Sequence, residues 1–369
     1  MEFSSLVNGG ISNLMPYRMG KTIEQIQEEV GAKNLIRLNA GESPYGVSRK
    51  VREVLKQYES YIPYYPDSAA LNFKNKLFNR FNYEIPFITV GADTTELISL
   101  ICRAFLRPGL NVIIPQLSSI MHERAVQLSG AEIITTAIMD DWTPDFDAIV
   151  EAINDHTRMI MLSNPSNPIG AFSVFSQIDG LLRSVPNDVL VVVDEELVDY
   201  LGLGYKDLYP LLDFYPNLMI LRSFSHAYGL AGLRIGYMLS CEEISGIINV
   251  LRDPYNVSSI ALDCATAALS DGTFFNFVIE KTTVERNRFR EFCGAYGLET
   301  IDTHTCSITI NFGNKAERYY NALVQLGVFT RPLGYLGLPT LLNITLGHPR
   351  ETDFVLKHIE QFLTTDSPR

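Results

Sequence analysis

Short runs of β-branched and aliphatic residues alternate with stretches of helical periodicity between about residues 85 and 240, and this alternation constrains the fold most. The runs lack a polar–apolar alternation, so we expect strands that are buried on both faces. Such strands, each followed by a helix, predict an α/β fold with a mostly parallel sheet between layers of helices. The predicted strands are Phe87–Val90, Asn111–Pro115, Glu132–Thr136, Met159–Leu162, Val189–Val193 and Leu218–Leu221, and the helices include Thr94–Phe105, Ser176–Ser184 and Glu242–Arg252.

The pattern changes after residue 253. Two long helical stretches follow at about 258–270 and 274–296, and then come short strands near 307–311 and 341–346 and a terminal helix near 352–363. We therefore predict a large domain over residues 46–253 and a smaller α+β domain over 254–369. Residues 1–45 contain an amphipathic helix, Thr22–Val30, and we expect this arm to contribute to the small domain.

Charge and cysteine content exclude several classes of function. The net charge of −12 and the pI near 5.0 argue against nucleic acids and anionic membranes as partners. No run approaches 18 apolar residues, and the N-terminus does not have the pattern of a secretory signal. Five cysteines without a CxxC spacing indicate reduced thiols and a cytoplasmic location, with neither a disulfide framework nor a metal site.

Two motifs follow predicted strands of the sheet. Asn164–Gly170 contains two Asn-Pro steps and ends in a glycine that permits a positive φ. Loops at the carboxyl ends of parallel strands bind ligands in α/β proteins, although a rigid turn without a ligand would have the same sequence. Asp194 stands at the end of the next predicted strand, and a buried carboxylate there needs a partner. Its alternative role is to cap the following helix.

Two further segments have the composition of anion sites. The stretch Ser223–Tyr237 combines hydroxyl residues, glycines and an arginine, of which Ser223, Ser225 and Arg234 can donate hydrogen bonds to a phosphate. Gly91–Thr95 joins a strand to the start of a helix, where backbone N–H groups are free to bind an anion.

These motifs, in this order, resemble the fold type I pyridoxal-phosphate-dependent aminotransferases of class I/II, and they are most similar to the histidinol-phosphate aminotransferase subgroup. The resemblance implies a mostly parallel seven-stranded sheet in the large domain, a pyridoxal or pyridoxamine 5′-phosphate cofactor, a small amino or keto substrate, and a homodimer with shared active sites. The matching segments are Leu14–Gly20, Ile36–Gly46, Tyr65–Asp67, Asn164–Gly170, Asp194–Glu195, Ser223–Tyr237, Arg252–Val257, Arg331–Pro332 and Gly337–Pro339.

The resemblance also implies a role for individual residues. Asp194 would pair with the pyridine nitrogen of the cofactor, and Asn167 would donate a hydrogen bond to the 3′-oxygen of its ring. Tyr65 would reach the phosphate of the cofactor in the neighbouring subunit, while Tyr17 and Arg331 would contact the substrate. The residues expected around the phosphate are Ala92, Asp93, Ser223, Ser225 and Arg234.

The chain departs from the family pattern most sharply at His226. Family members have Ser-Lys-Ala where this chain reads Ser-His-Ala, and that lysine forms an imine with the cofactor. An imidazole cannot form a stable imine, but it can act as an acid or base near neutral pH. No other lysine falls in a motif that matches the cofactor-binding segments of the family.

Three more positions differ. The family's Asp-Glu-Ala-Tyr ends here in Leu197, so a hydroxyl near the ring 3′-oxygen is missing. Ser119 stands where the resemblance implies an aromatic residue that stacks on the ring. His122 is a nearby candidate to compensate for this loss and to contact the substrate. Asn343 stands where the resemblance implies an arginine that holds a substrate anion. The residues that hold the cofactor are kept, and the residues that hold the imine and the substrate anion are not.

Three functional hypotheses remain open. The first is an enzyme that holds the cofactor noncovalently and uses His226, with Asp194 and Asn167, as its catalytic residues; sugar dehydratases of the wider superfamily have histidine at the lysine position. The second is a conventional histidinol-phosphate-type aminotransferase. The third is a catalytically inactive cofactor-binding or scaffolding homologue, since a fold alone does not fix a function.

Overall fold

The computed structural model describes residues 35–366, together with residues 10, 11, 14, 28 and 31. The predicted helix Thr22–Val30, apart from Glu28, and the predicted substrate contact Tyr17 lie outside the described residues.

A seven-stranded sheet forms the centre of the larger part of the molecule, which confirms the predicted α/β class. All six predicted strands are present, and they run parallel to one another. The seventh strand, Gly236–Ser240, is antiparallel and was hidden in the glycine-rich stretch, where its five residues follow the phosphate motif directly. The strand order is Ile88–Gly91, Gly236–Ser240, Leu218–Ser223, Leu190–Asp194, Thr157–Ser163, Asn111–Pro115 and Glu132–Thr136.

Helices cover both faces of this sheet, and several begin at a side-chain cap. Ser48, Asp145 and Ser258 each accept a hydrogen bond from a backbone N–H in the first turn, which stabilises the start of the helix. The α-helices of the described residues are Arg49–Lys56, Leu71–Phe81, Asp93–Phe105, Ile120–Ser129, Phe146–Glu151, Phe175–Ser184, Glu242–Leu251, Ser259–Leu269, Gly272–Ala295, Ala316–Gln325 and Pro349–Asp366. None of these helices has the length and apolarity to cross a membrane.

A second, antiparallel sheet is built from the C-terminal part of the chain. Its strands lie in the order Arg331–Pro332, Leu341–Thr345, Ser307–Asn311 and Glu299–Thr300. Near it, Ile36–Arg37 pairs in parallel with Val328–Phe329, so the end of the N-terminal segment lies beside the C-terminal part. A separate apolar core packs here around Phe289, Ile308, Ile344 and Val355.

The helix Ser259–Leu269 packs on the large sheet's side of the molecule. It contacts the helices Arg49–Lys56 and Leu71–Phe81, and its buried residues Ala261 and Leu262 belong to the core around the seven-stranded sheet. The predicted domain division at residues 253 and 254 stays a prediction.

The carboxyl ends of the parallel strands meet at one edge of the large sheet. Gly91, Ser163, Asp194 and Ser223 end four of these strands. Loops after parallel strands converge at such an edge, so side chains from distant parts of the sequence are brought together there.

Candidate active site

Asp194 lies at the centre of this edge and is held from below by His122. Its Oδ2 atom is 3.1 Å from His122 Nε2, and the Nδ1 atom of the same ring is 3.1 Å from Ser118 Oγ. The backbone N–H of Glu196 donates to Asp194 Oδ1 over 3.2 Å. Burial, followed by the charge of Glu196, raises the pKa of Asp194 to about 6, and the contact with His122 opposes this shift. A cationic group above Asp194 would therefore stabilise its ionised form.

His122 has no exposed surface in this structure. The sequence suggested it as a substrate contact, but a fully buried ring offers no surface to a substrate. Ser118 lies just before the N-cap residue of the helix that carries His122, and its hydroxyl is in contact with the ring. His122 orients Asp194 in the structure, and any contact between His122 and substrate remains a prediction.

The loop Asn164–Gly170 presents Asn167 beside Asp194. The Asn164 amide exchanges two hydrogen bonds with the backbone of Ser173, of 2.7 and 2.9 Å, which fixes the loop. Gly170 has a φ of +88°, as its position in the motif predicted. The Asn167 amide donates to Glu196 Oε1 over 2.6 Å. Asn167 thus contacts Glu196 in the place where the sequence predicted a contact with a cofactor oxygen.

Replacing Gly170 with alanine is expected to destabilise the protein by about 2–4 kcal/mol, because a left-handed residue and an overpacked side chain both cost free energy. A Cβ atom at this position would lie 2.0 Å from Thr303 Oγ1. Thermal unfolding checks the prediction. Gly46→Ala is the matched control, since Gly46 has a φ of +67° but no atom within 4 Å of the added Cβ. Equal losses in the two variants would show that the contact with Thr303 has no cost.

The predicted phosphate donors converge on one carboxylate. Ser223 Oγ donates to Asp93 Oδ1 over 2.6 Å, and Arg234 Nη1 lies 2.6 Å from Asp93 Oδ2. Ser225 Oγ also donates to Asp93 Oδ2. Two hydroxyls and a guanidinium around one anionic group are a donor set that suits a phosphate. The residues predicted from the sequence therefore do come together, and the Asp93 carboxylate takes the place of the anion.

His226 lies between two partners, Gly41 and Glu196. Its Nδ1 atom is 2.9 Å from the carbonyl oxygen of Gly41, and its Nε2 atom is 3.6 Å from Glu196 Oε2. Burial alone would lower the pKa of His226, but contacts with Cys306 and Glu196 outweigh burial and raise it well above its usual value. Against the opposing effect of burial, the contact with His226, followed by Asn167 and His122, lowers the pKa of Glu196 to about 2. The pair is therefore an imidazolium beside a carboxylate.

A narrow cleft opens in front of His226. Its lining residues do not form a strong binding site for an anion. Arg331 reaches it and donates to Asn167 Oδ1 over 3.2 Å. Asn343 also lines it, but its amide already donates to Pro168 O at 2.9 Å and to two side-chain hydroxyls, and the residue is buried. Leu197 contributes an apolar wall. Arg331 is thus a second cation of this cleft beside the His226 imidazolium, and Asn343 mainly joins the loop to the second sheet.

The remaining predicted residues do not line this cleft. Ser119 caps the helix that begins at residue 120, because its Oγ atom accepts from a backbone N–H of the first turn over 3.3 Å. The backbone N–H of Ala92 donates to Glu96 Oε2 over 2.5 Å. Tyr65 is 81% exposed and stacks on Tyr255, with 4.7 Å between ring centroids.

Sequence reasoning missed the roles of Gly41, Glu196 and Cys306. Glu196 carried a signal, since the resemblance implies alanine at this position, but only its contact with His226 points to a role. Gly41 and Cys306 lie far from His226 in sequence, and no local pattern connects them.

Neither a lysine nor a metal-binding cluster appears among the described site residues. The residues that line the cleft include no lysine. Within the part of the chain that the structure describes, no three His, Cys, Asp or Glu side chains are grouped so that they could hold a metal ion.

Comparisons with known proteins agree with this architecture. The chain matches the family described as "Aminotransferase class I and II" over residues 33–359. Histidinol-phosphate aminotransferase 1 of Mannheimia succiniciproducens is 36% identical over 355 residues, which is 95% of this chain and 96% of that protein. Histidinol-phosphate aminotransferase of Bacillus subtilis (strain 168) is 32% identical over 354 residues, or 96% of this chain and 98% of that protein.

The same fold occurs in a solved structure of this kind. The crystal structure of histidinol-phosphate aminotransferase from Sinorhizobium meliloti in complex with pyridoxal-5′-phosphate has a TM-score of 0.90 to this chain at 23% identity. The match covers 98% of this chain and 99% of that one. The fold predicted from the sequence, aminotransferase fold type I, is confirmed.

Proposed function

This chain belongs to the class I and II aminotransferases, and we propose that it binds pyridoxal or pyridoxamine 5′-phosphate noncovalently and acts on a small amino or keto substrate with His226 as the acid or base. The observation that carries the proposal is the contact of 3.6 Å between His226 Nε2 and Glu196 Oε2. The resemblance implies that the lysine of the family corresponds to His226. A charged, partnered imidazole can hold and release a proton at that point.

The described residues fit the cofactor. Asp194 is a buried carboxylate whose side-chain partner among the described residues is the His122 ring, and a protonated pyridine nitrogen would supply it with a positive charge. Ser223, Ser225 and Arg234 would hold the phosphate. When bound, the cofactor supplies an electron sink for a carbanion next to its reactive carbon. Asp194 would strengthen that sink by keeping the pyridine nitrogen protonated.

Phosphate binding has to compete with Asp93. Its carboxylate accepts from the same three side chains that the phosphate would use. In the proposed complex the Asp93 side chain turns away and the phosphate replaces it at the donors. The affinity for the cofactor thus depends on how much more strongly these donors bind the phosphate than they bind the Asp93 carboxylate.

We also propose that two copies of the chain share their active sites. Ile62, Tyr64 and Tyr65 form an exposed apolar segment, with exposed fractions of 72%, 72% and 81%. A contiguous patch of this kind on a protein surface marks an interaction site. In the proposed homodimer this segment packs against the second copy, and Tyr65 reaches the phosphate of that copy's cofactor.

A conventional histidinol-phosphate aminotransferase activity is the second candidate. The names of relatives with identities of 32–36% over nearly the full length favour it over unusual chemistry. The absence of lysine from the described lining of the cleft speaks against the covalent step of that reaction.

Dialysis of the protein after loading with pyridoxal phosphate tests the proposal. We expect one cofactor per chain, release on dialysis, and no cofactor left on the protein after borohydride reduction and mass spectrometry. Amines and amino acids, with histidinol phosphate among them, are then added, and we expect His226→Ala to lower any turnover by about two to four orders of magnitude. Retention of the cofactor after reduction would support the conventional aminotransferase. Failure to bind either form of the cofactor would support the hypothesis that the protein is a catalytically inactive scaffolding homologue.

A further inference from the structure

We infer that Glu196 is a positioning residue that fixes the ring of His226 in the cleft and holds it as the charged imidazolium. The inference rests on the proposed role of His226 as the acid or base. It adds a residue that the family does not have, because alanine stands at this position in the family pattern.

The geometry around Glu196 supports this role. One carboxylate oxygen, Oε2, is 3.6 Å from His226 Nε2, and the other, Oε1, accepts from the Asn167 amide over 2.6 Å. Asn167 in turn accepts from Arg331 over 3.2 Å. Because each carboxylate oxygen has its own partner, the side chain of Glu196 is held in one orientation.

The opposite side of the imidazole is fixed by backbone. His226 Nδ1 donates to the carbonyl oxygen of Gly41 over 2.9 Å, so this nitrogen carries a hydrogen. A Cβ atom on Gly41 would lie 3.0 Å from Nδ1, which shows how closely the ring packs against this segment. A proton on the remaining nitrogen, Nε2, gives the imidazolium, and Glu196 is the anion that faces it.

Other charged and titratable groups near His226 act with or against Glu196. Contact with Cys306 contributes more than Glu196 to the raised pKa of His226, and the Cys306 thiol donates to the same Gly41 carbonyl oxygen as the ring. Asp199 favours the imidazolium through its charge. Arg331 lies in the same cleft and carries the same sign of charge as the imidazolium. Glu196 is the carboxylate of the described residues that is in direct contact with the ring, and its pKa of about 2 keeps it ionised.

An NMR titration of the histidine rings in the cofactor-free protein tests the inference. The chain has six histidines, and His226→Gln assigns the signal of interest. We expect the pKa of His226 to fall by at least about one unit in Glu196→Gln, since an opposite charge at this range shifts a pKa by one to three units. Glu196→Asp keeps the charge and is expected to recover part of the shift. Glu42→Gln is the matched control, since Glu42 is exposed and paired with Arg37.

An unchanged pKa of His226 in Glu196→Gln would overturn the inference, and so would a fall of the same size in Glu42→Gln. If Glu196→Gln does not fold, the same titration of Glu196→Asp decides, because a longer distance between the carboxylate and the ring lowers the pKa of His226 only if the charge at position 196 stabilises the imidazolium. These readouts do not involve the cofactor. If the pKa of His226 falls in Glu196→Gln but the protein does not bind the cofactor, the inference stands and the proposed function fails. If the protein binds the cofactor but the pKa of His226 does not change, the proposed function stands and the inference fails.

Discussion

Asp194→Asn is expected to weaken binding of pyridoxal phosphate more than a hundredfold, which corresponds to about 3 kcal/mol. The variant removes the buried negative charge that would face the protonated pyridine nitrogen of the proposed cofactor. An asparagine is nearly the same shape and can still accept a hydrogen bond from His122, which lies 3.1 Å from the carboxylate. Titration of the protein with pyridoxal phosphate, followed by absorbance, gives the two dissociation constants.

Asp199→Asn is the matched control for this experiment. Asp199 is a second carboxyl close in sequence, and burial raises its pKa to about 6 as well, but it does not line the cleft. Its replacement is expected to leave the affinity for the cofactor unchanged. Similar losses of affinity in both variants would mean that a general change of the site, and not the pairing with Asp194, weakens binding.

Without cofactor, the difference in stability between the Asp194→Asn variant and the unaltered protein should depend on pH in a defined direction. The pKa of Asp194 rises from 3.8 to about 6 on folding, so the folded state binds this proton more tightly than the unfolded state. The stabilisation from this group is complete below about pH 4 and is lost as the pH rises through 6. Above pH 6 the variant should therefore unfold at a higher temperature than the unaltered protein. A lower midpoint at pH 8 would contradict the raised pKa.

His226→Lys combined with Glu196→Ala is expected to attach the cofactor covalently, whereas His226→Lys alone is expected to do so poorly. In the single variant the new ammonium lies near Glu196, whose carboxylate favours the charged amine. A charged amine cannot attack an aldehyde, and a rise of one to three units in its pKa leaves about ten to a thousand times less free amine. Borohydride reduction and mass spectrometry measure the attached fraction.

Glu196→Ala with His226 retained is the control and is expected to show no attached cofactor. Attachment in the unaltered protein would contradict the noncovalent proposal, because another lysine would then have to reach the cofactor. Equal attachment in the single and double variants would show that Glu196 does not control the charge at position 226.

The sequence by itself was enough for the fold, because the information is local. Buried strands without polar alternation predicted the sheet, and their order of appearance placed Asp194 and Asn167 at the same edge. The donors Ser223, Ser225 and Arg234 also followed from one short segment. The antiparallel strand Gly236–Ser240 was missed because its residues continue that segment without a turn signal.

Only the tertiary structure decided what the departures from the family pattern mean. His226 is 185 residues from Gly41, and Arg331 is 164 residues from Asn167, so no spacing in the sequence predicts these contacts. The structural role of Asn343 could not be predicted either, because its buried amide donates to three partners from two other segments of the chain. Periodicity reports which face of an element is buried, whereas the partner of a polar side chain depends on which loops the folded chain brings to the same place.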